Sequence, residues 1–324
     1  MFTNKTVLVT GGTGSFGQTF IQLLLKKYRP KKLIIFSRDE YKQYWMAKKL
    51  KKYQSILRFF LGDVRDLNRL ERAFSGVDIV IHAAALKQVP ALEYNPFEAV
   101  KTNIVGSQNV IDAAINATVS KVLLISSDKA VHPINLYGAT KLCAEKLFIA
   151  SNAYATGKPL FSAVRYGNVL GSRGSIAENL HDDGVKTIEI TDGEMTRFWI
   201  SLDQAFTLVK FALKVMVGGE IIVPQIPSMK LKDLLQALAP HASKTTIGLR
   251  PGEKVHEMLI APEEATRTYL FRNYFVILPD ATPNGKIYQT YQKTGKKLPP
   301  SFSLESHTNK RWLTDKQLLK IAQF

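Results

Sequence analysis

Short apolar runs alternate with longer stretches of helical period through the first half of the chain. The runs Val7–Val9, Leu33–Phe36, Leu57–Leu61, Ile79–Ile81, Val122–Ile125 and Ser162–Arg165 are mostly apolar at successive positions, not at every second one. Strands of that kind are covered on both faces, and helices between them make the sheet parallel. Asn109–Asn116 and Lys141–Ala150 read as helix interiors. The pattern predicts a doubly wound α/β domain, a parallel Rossmann-type sheet, reaching to about residue 166.

Beyond Tyr166 the texture changes. Gly171–Ser175 is a loop signal, and Pro224, Pro227, Pro240, Pro251 and Pro262 cut the later part into short elements. We expect a dinucleotide-binding domain over residues 1–166, with contributions from about 195–223. A smaller substrate-binding part, 167–194 and 224–285, is expected over the carboxyl ends of the strands, where open α/β sheets bind ligands. Residues 286–324 form a polar tail that ends in a helix near Thr314–Ala322, with Thr314 as its N-cap.

Composition narrows the class. The chain has 324 residues, 45% of them hydrophobic, which is enough for a full core. No apolar run approaches the ~20 residues of a membrane span, and the first strand begins too early for a signal peptide. One cysteine, Cys143, excludes an intrachain disulfide and fits a reducing cytoplasm; it is expected to pack within a helix. The formal charge of +17 attracts anions. The basic residues lie on helical stretches such as Lys42–Lys52 and are not interleaved with aromatics, so nucleic acid is not the expected partner.

Thr10–Gly17 follows the first strand and opens a helix. Its Gly11, Gly14 and Gly17, with Thr13, Ser15 and Phe16 between them, suit a sharp turn against a pyrophosphate at the helix N-terminus. The second strand ends in Ser37-Arg38, and a hydroxyl plus a guanidinium suit a ribose 2′-phosphate. NADP is therefore preferred over NAD, although Asp39 and Glu40 just beyond keep NAD open. Asp63-Val64 closes the third strand, where a side chain can meet adenine. Ala83-Ala84-Ala85 closes the fourth, with Lys87 near enough to reach phosphate.

Tyr137 and Lys141 share one helix face at i and i+4. A nearby ammonium favours the phenolate, which makes Tyr137 a base for a hydroxyl proton. Asp128-Lys129 precedes them and adds an acid and a base that simple alcohol oxidation does not need. Whether a neighbouring cation lowers Lys129 or Asp128 raises it stays open at this level.

These blocks, with Phe36–Glu40, Gly62–Asp66, His82–Pro90, Lys101–Val110, Ser126–Lys141, Arg165–Ser175, Met195–Leu202, Ile226–Lys230 and Arg250–Glu257, resemble the extended short-chain dehydrogenase/reductase superfamily. Within it they are most similar to the inverting UDP-N-acetylglucosamine 4,6-dehydratases that begin pseudaminic acid and related sugar pathways. The resemblance implies a cytoplasmic, NADP-dependent homo-oligomer acting on UDP-N-acetylglucosamine, without a metal, a membrane or nucleic acid. It implies that Tyr137 and Lys141 handle the 4-hydroxyl, that Lys129 takes the C5 proton, that Asp128 protonates the departing 6-hydroxyl, and that Ser127 holds the sugar. It also assigns Lys42 and Val169 to the cofactor. To the substrate it assigns Lys87, Asn103, Asn168, Arg173, Ser175, Arg197, Arg250 and Glu253, the last two as a clamp on diphosphate and ribose. A related dehydratase or epimerase acting on another UDP sugar, or also inverting C3, is the alternative. Two positions depart from the family pattern. His132 stands where an Asn is usual and is expected to pack the loop, and Ala177–Leu180 lacks the usual apolar, Pro-containing pattern.

Overall fold

The computed structural model describes residues 1–155, 157–171, 187–280, 289 and 291–322. Arg173, Ser175 and the segment 177–180 lie outside the described residues.

Every apolar run read from the sequence is a strand; Leu57–Leu61 coincides with its strand, and the others are longer or shifted by a residue or two. The strands are β1 (Thr6–Thr10), β2 (Lys32–Ser37), β3 (Leu57–Leu61), β4 (Ile79–His82), β5 (Lys121–Ile125) and β6 (Leu160–Val164). They pair in parallel in the order β3-β2-β1-β4-β5-β6. The register runs Thr10 to Phe36 on one side and Thr10 to His82 on the other. All five residues of β1 and all four of β4 are buried, so helices cover both faces.

Later elements complete the architecture. Three short strands, β7 (Asn168–Val169), β9 (Thr196–Ile200) and β11 (Ser228–Lys230), form a separate sheet, and β8 (Thr187–Ile190) pairs with β12 (Ser243–Thr246). Strand β10 (Ile221–Pro224) adds to β6 in parallel. Beyond it β15 (Tyr274–Ile277), β14 (Thr268–Phe271) and β16 (Lys296–Lys297) extend the sheet antiparallel. Strand β13 (Met258–Ile260) pairs with β17 (Leu304–Glu305).

Two helices matter most for the site. The first, α1 (Ser15–Lys27), starts at Gly14 with no acidic side chain in its first turn and two lysines in its last, so its positive end is left for an anion. The other, Leu136–Ala150, is capped by Asn135, whose Oδ1 accepts from the Gly138 amide at 2.8 Å. That cap sets Tyr137 in the first turn and Lys141 one turn on. Pro96–Ala99, Val100–Val105 and Gly106–Asn116 run on as one continuous helix whose middle section is π-helical.

The main core surrounds the large sheet. A second, smaller core gathers Leu170, Met195, Trp199, Met229, Leu234, Leu235 and Leu318, under the β7-β9-β11 sheet and the terminal helix Asp315–Ala322. Thr314 caps that helix as expected, accepting from the Gln317 amide at 3.3 Å. No helix among the described residues is long and apolar enough to cross a membrane. Cys143 lies in the helix but is exposed, contrary to the expectation of packing: it falls on the solvent face between buried Lys141 and Ala144.

Candidate active site

The order of the sheet reverses between β1 and β4, and a crevice opens there at the carboxyl ends of the strands. Three adjoining pockets make it a trench. The first, about 360 Å³, is walled by Thr13, Ser37, Arg38, Asp39, Lys42, Asp63 and Val64. It shares Gly11, Gly14, Ala83 and Ala85 with the second, about 410 Å³, which adds Ser15, Phe16, Gly17, Ser127, Tyr137, Lys141 and Val169. Lys87, Lys129 and Asn168 border both the second and the third, about 290 Å³, where Arg197, Arg250 and Glu253 stand. A separate cavity of about 240 Å³ lies by Glu145, Arg165 and Glu264. Its charges pair among themselves and leave no unmatched charge for a ligand.

The glycine turn fits a bulky anion lying against backbone. Gly11 has φ +64°, and a Cβ there would stand 2.8 Å from the Ala84 nitrogen. A Cβ on Gly17 would meet the Gly11 carbonyl oxygen at 2.6 Å. The facing strand ends are tied by a buried chain of hydrogen bonds. Thr10 Oγ1 accepts from the Ala83 and Ala84 amides, both at 3.2 Å, so its proton goes to His82 Nδ1 at 2.7 Å. His82 then donates from Nε2 to Ser107 Oγ at 3.2 Å, and Ser107 donates to the Asn103 carbonyl at 2.6 Å. Burial first, and the Lys141 charge second, pull His82 down to about 3, so the ring is neutral.

In the first pocket, Asp39 caps its own helix by accepting from the Lys42 amide at 2.9 Å, and it pairs with the Lys42 ammonium. Arg38 lies 3.8 Å from Asp63 with its side chain more than half exposed. The Ser37 hydroxyl accepts from Gln43 at 2.9 Å.

The chemical end is compact. Asp128 is fully buried. Its Oδ1 accepts from Ser127 Oγ at 2.8 Å and from Lys129 Nζ at 3.1 Å, while its Oδ2 has no hydrogen-bond partner. Lys129 Nζ also donates to Asn168 Oδ1 at 3.4 Å and lies 3.3 Å from Glu257 Oε1. Burial opposes the Lys129 charge, yet Asp128 and Glu257 together hold it well above the ordinary lysine range, with Arg197 working against them. The question left open by the sequence is thus answered: carboxylates raise Lys129.

The expected partnership of Tyr137 and Lys141 needs correcting. Burial pushes the Tyr137 phenol up; the cation that pulls it down is Lys129, helped by a hydrogen bond from Ser127, while Asp128 pushes it up. Lys141 donates to the Ile125 carbonyl at 2.7 Å, and burial brings it down to about 8 against the pull of Glu145.

Two residues expected at the substrate have other work. Asn103 is 2% exposed: it accepts from the Leu86 amide at 2.8 Å and donates to the Leu86 carbonyl and Thr140 Oγ1, both at 2.9 Å. It braces the backbone before Lys87 and has no amide proton left for a sugar. Arg197 spends its guanidinium on the carbonyls of Thr196, Val255 and Lys254 at 2.8 to 2.9 Å, holding the Arg250–Glu257 stretch against β9. Arg250 and Glu253 face the third pocket, and the Arg250 amide donates to Glu253 at 3.2 Å. His132 pairs with Glu263 at 3.2 Å on the surface, at φ +43°. The residue that sequence reasoning missed is Glu257. It ends the Arg250–Glu257 block, and its position in that block was its only signal. No group of three or more metal-ligating side chains occurs among the described residues.

The chain is 48% identical over 329 residues to a Campylobacter jejuni subsp. jejuni serotype O:2 protein named UDP-N-acetylglucosamine 4,6-dehydratase (inverting), covering 99% of this chain and 98% of the relative. It is 41% identical over 323 residues to a Rickettsia conorii protein named UDP-glucose 4-epimerase, covering 96% and 93%. The X-ray structure of Pen from Bacillus thuringiensis superposes with a TM-score of 0.88 at 35% identity, covering 99% of this chain and 97% of that one. Residues 7–279 match the polysaccharide biosynthesis protein family, and the chain belongs to that family.

Proposed function

We propose that this protein is a UDP-N-acetylglucosamine 4,6-dehydratase that inverts C5, converting its substrate to the 4-keto-6-deoxy-L-arabino sugar. The observation that carries the reading is the Asp128–Lys129 pair at 3.1 Å, in the same cleft as Tyr137 and Lys141. A simple 4-epimerase, the activity named for the Rickettsia relative, needs the tyrosine and leaves that pair without a task. When bound, a nicotinamide dinucleotide would supply the hydride acceptor for C4 and the hydride donor for C6. Tyr137 takes the 4-hydroxyl proton. Lys129 takes the C5 proton, the freed electron pair forms the C5–C6 double bond, and the C6–O bond breaks. Asp128 supplies the proton with which the 6-hydroxyl leaves as water. A proton added to C5 from the opposite face inverts that centre.

The rest Lys129–Asp128 ion pair becomes the competent acid and base by moving one proton across its own 3.1 Å hydrogen bond. That leaves a neutral amine to take the C5 proton and a neutral carboxyl to supply the proton for the 6-hydroxyl. For the cofactor we propose NADP over NAD: Arg38 lines the first pocket beside Ser37, and Asp39, the acid that follows it, is engaged by Lys42. In this reading residues 1–166, with about 195–223, hold the dinucleotide; 167–194 and 224–285, with Arg250 and Glu253, meet the sugar nucleotide; and 286–324 is the tail. A cytoplasmic homo-oligomer in the pseudaminic acid type of pathway belongs to the same proposal.

The test is NMR of the purified protein with UDP-N-acetylglucosamine in deuterated water and no added reductant. A 4-keto-6-deoxy product with L-arabino configuration and deuterium at C5 is expected. Retained D-xylo configuration through the time course would reject inversion, and a 4-epimer alone would reject dehydration.

A further inference from the structure

We propose that Glu257 is the second carboxylate of the elimination site, a positioning residue that holds the Lys129 ammonium in place and sets the pH at which it yields its proton. The proposal rests on the dehydratase reading above. Lys129 Nζ is suspended between two acids from distant parts of the chain, Asp128 Oδ1 at 3.1 Å and Glu257 Oε1 at 3.3 Å. With Asn168 Oδ1 at 3.4 Å, these contacts fix the direction of Nζ at the junction of the second and third pockets.

Glu257 is not explained as a structural ion pair. It is 3% exposed, and its Oε2 has no hydrogen-bond partner. Its other cations are distant: Lys254 at 3.9 Å and Arg197 at 4.0 Å, the latter with its guanidinium already donating to backbone carbonyls. A buried carboxylate whose Oε2 makes no hydrogen bond and has only a loose ion pair to Lys254 at 3.9 Å is costly unless a task keeps it there. Its backbone is locked, since the Glu257 amide donates to Ser306 Oγ at 2.9 Å and Ser306 donates on to the Thr196 carbonyl. The carboxylate is therefore delivered to Lys129 by a rigid support.

The charges facing Lys129 are Asp128 beside it, Glu257 and Lys254 from the Arg250–Glu257 stretch, Arg197 from β9 and the Tyr137 phenol. With Glu257 ionised there are two carboxylates for three cations. Remove it and one is left for three, so Lys129 gives up its proton at lower pH. An opposite charge at this range is worth about one to three pH units.

The experiment compares wild type, Glu257→Gln and Glu257→Asp as NADP-loaded proteins with UDP-N-acetylglucosamine. Deuterium entry at C5 reports the Lys129 step, and the near-ultraviolet absorbance of the reduced cofactor reports C4 oxidation, each across pH. In Glu257→Gln the C5 profile is expected to move to lower pH by about one to three units, while the oxidation profile, which follows Tyr137, moves less and toward higher pH because Tyr137 loses the Lys129 charge that pulls it down. Glu257→Asp, which keeps the charge but draws it back, should move the C5 profile less and in the same direction. It carries the test alone if the Gln variant fails to fold. A C5 profile that does not move, or that moves together with the oxidation profile, overturns the proposal. Failure of the wild type to exchange C5 or to form the keto sugar would instead overturn the dehydratase reading.

Discussion

Arg165 follows β6 with a fully buried guanidinium, and replacing it by Met should be strongly destabilising. Its side chain is 2% exposed, and so is that of Glu145, which it meets through Nη2 at 2.7 Å and Nε at 3.1 Å. It reaches Glu264 at 2.8 and 2.9 Å and the Leu259 carbonyl at 2.9 Å. Glu145 lies one turn beyond Lys141, so this triad fastens the helix of Tyr137 and Lys141 to the sheet and to β13. Arg165→Met leaves two buried carboxylates facing each other. Removing one partner of a buried pair costs about 3–5 kcal/mol, a large share of the ~5–15 kcal/mol that holds a typical fold. The loss should depend on pH. In the wild type Glu264 sits below its ordinary value: burial pushes it up, but Arg165, with the Ala261 amide and Arg267, outweighs that, so it adds stability above the unfolded value that is lost as pH falls through the folded one. Without Arg165, burial pushes the same carboxyl above its unfolded value, so the variant gains stability as pH falls toward that value. The gap between the two proteins must therefore narrow from neutral to mildly acid pH. Urea unfolding at both pH values measures it. The triple variant Arg165→Met, Glu145→Leu, Glu264→Gln should recover most of the loss, because an apolar replacement of a whole buried cluster is often near neutral. A single-variant loss under about 1 kcal/mol, where a surface pair would lie, or a loss that does not vary with pH, would refute the reasoning.

His82, neutral and fully enclosed with a value near 3, should make the protein acid-labile. Its stability contribution is intact above the unfolded value of about 6.5 and is lost as pH falls toward 3, about 5 kcal/mol in all; a His82→Gln variant should show a flatter pH dependence of the urea midpoint. Gly11→Ala forces a side chain into φ +64° against the Ala83–Ala84 backbone. It should cost about 1–2 kcal/mol from the backbone alone and weaken dinucleotide binding measured by calorimetry. Arg38→Ala should lower NADP affinity by about tenfold or more relative to NAD, the worth of one charged hydrogen bond; equal loss for both dinucleotides would place the 2′-phosphate elsewhere.

The parallel strands were legible because burial on both faces leaves an uninterrupted apolar run, as in Val7–Val9 and Ile79–Ile81. Strands of two or three residues such as β7, β11 and β16 carry no such signal; tertiary pairing makes them strands. Tyr137, Lys141 and the Asp128-Lys129 pair were legible because helical spacing and neighbouring position in sequence already set their proximity. Glu257 was not, because it reaches Lys129 only through the fold of a late loop. Asn103 and Arg197 show the converse. Sequence reveals a polar group but not the backbone carbonyls that have already claimed its protons.

The wide turn at Val100–Val105 has a consequence for how this fold tolerates change. A helix with one residue fewer there would be regular and intrinsically better bonded, since π-helical turns are rare and weakly favoured. Yet each residue advances a helix by about 100°, so the shortened chain would swing Asn103 away from Leu86 and Thr140 or, equally, rotate Ser107 off His82. The bulge lets one continuous rod serve two partners whose angular positions no regular helix satisfies together. A deletion in this region would yield a sturdier helix attached to a slackened loop before Lys87.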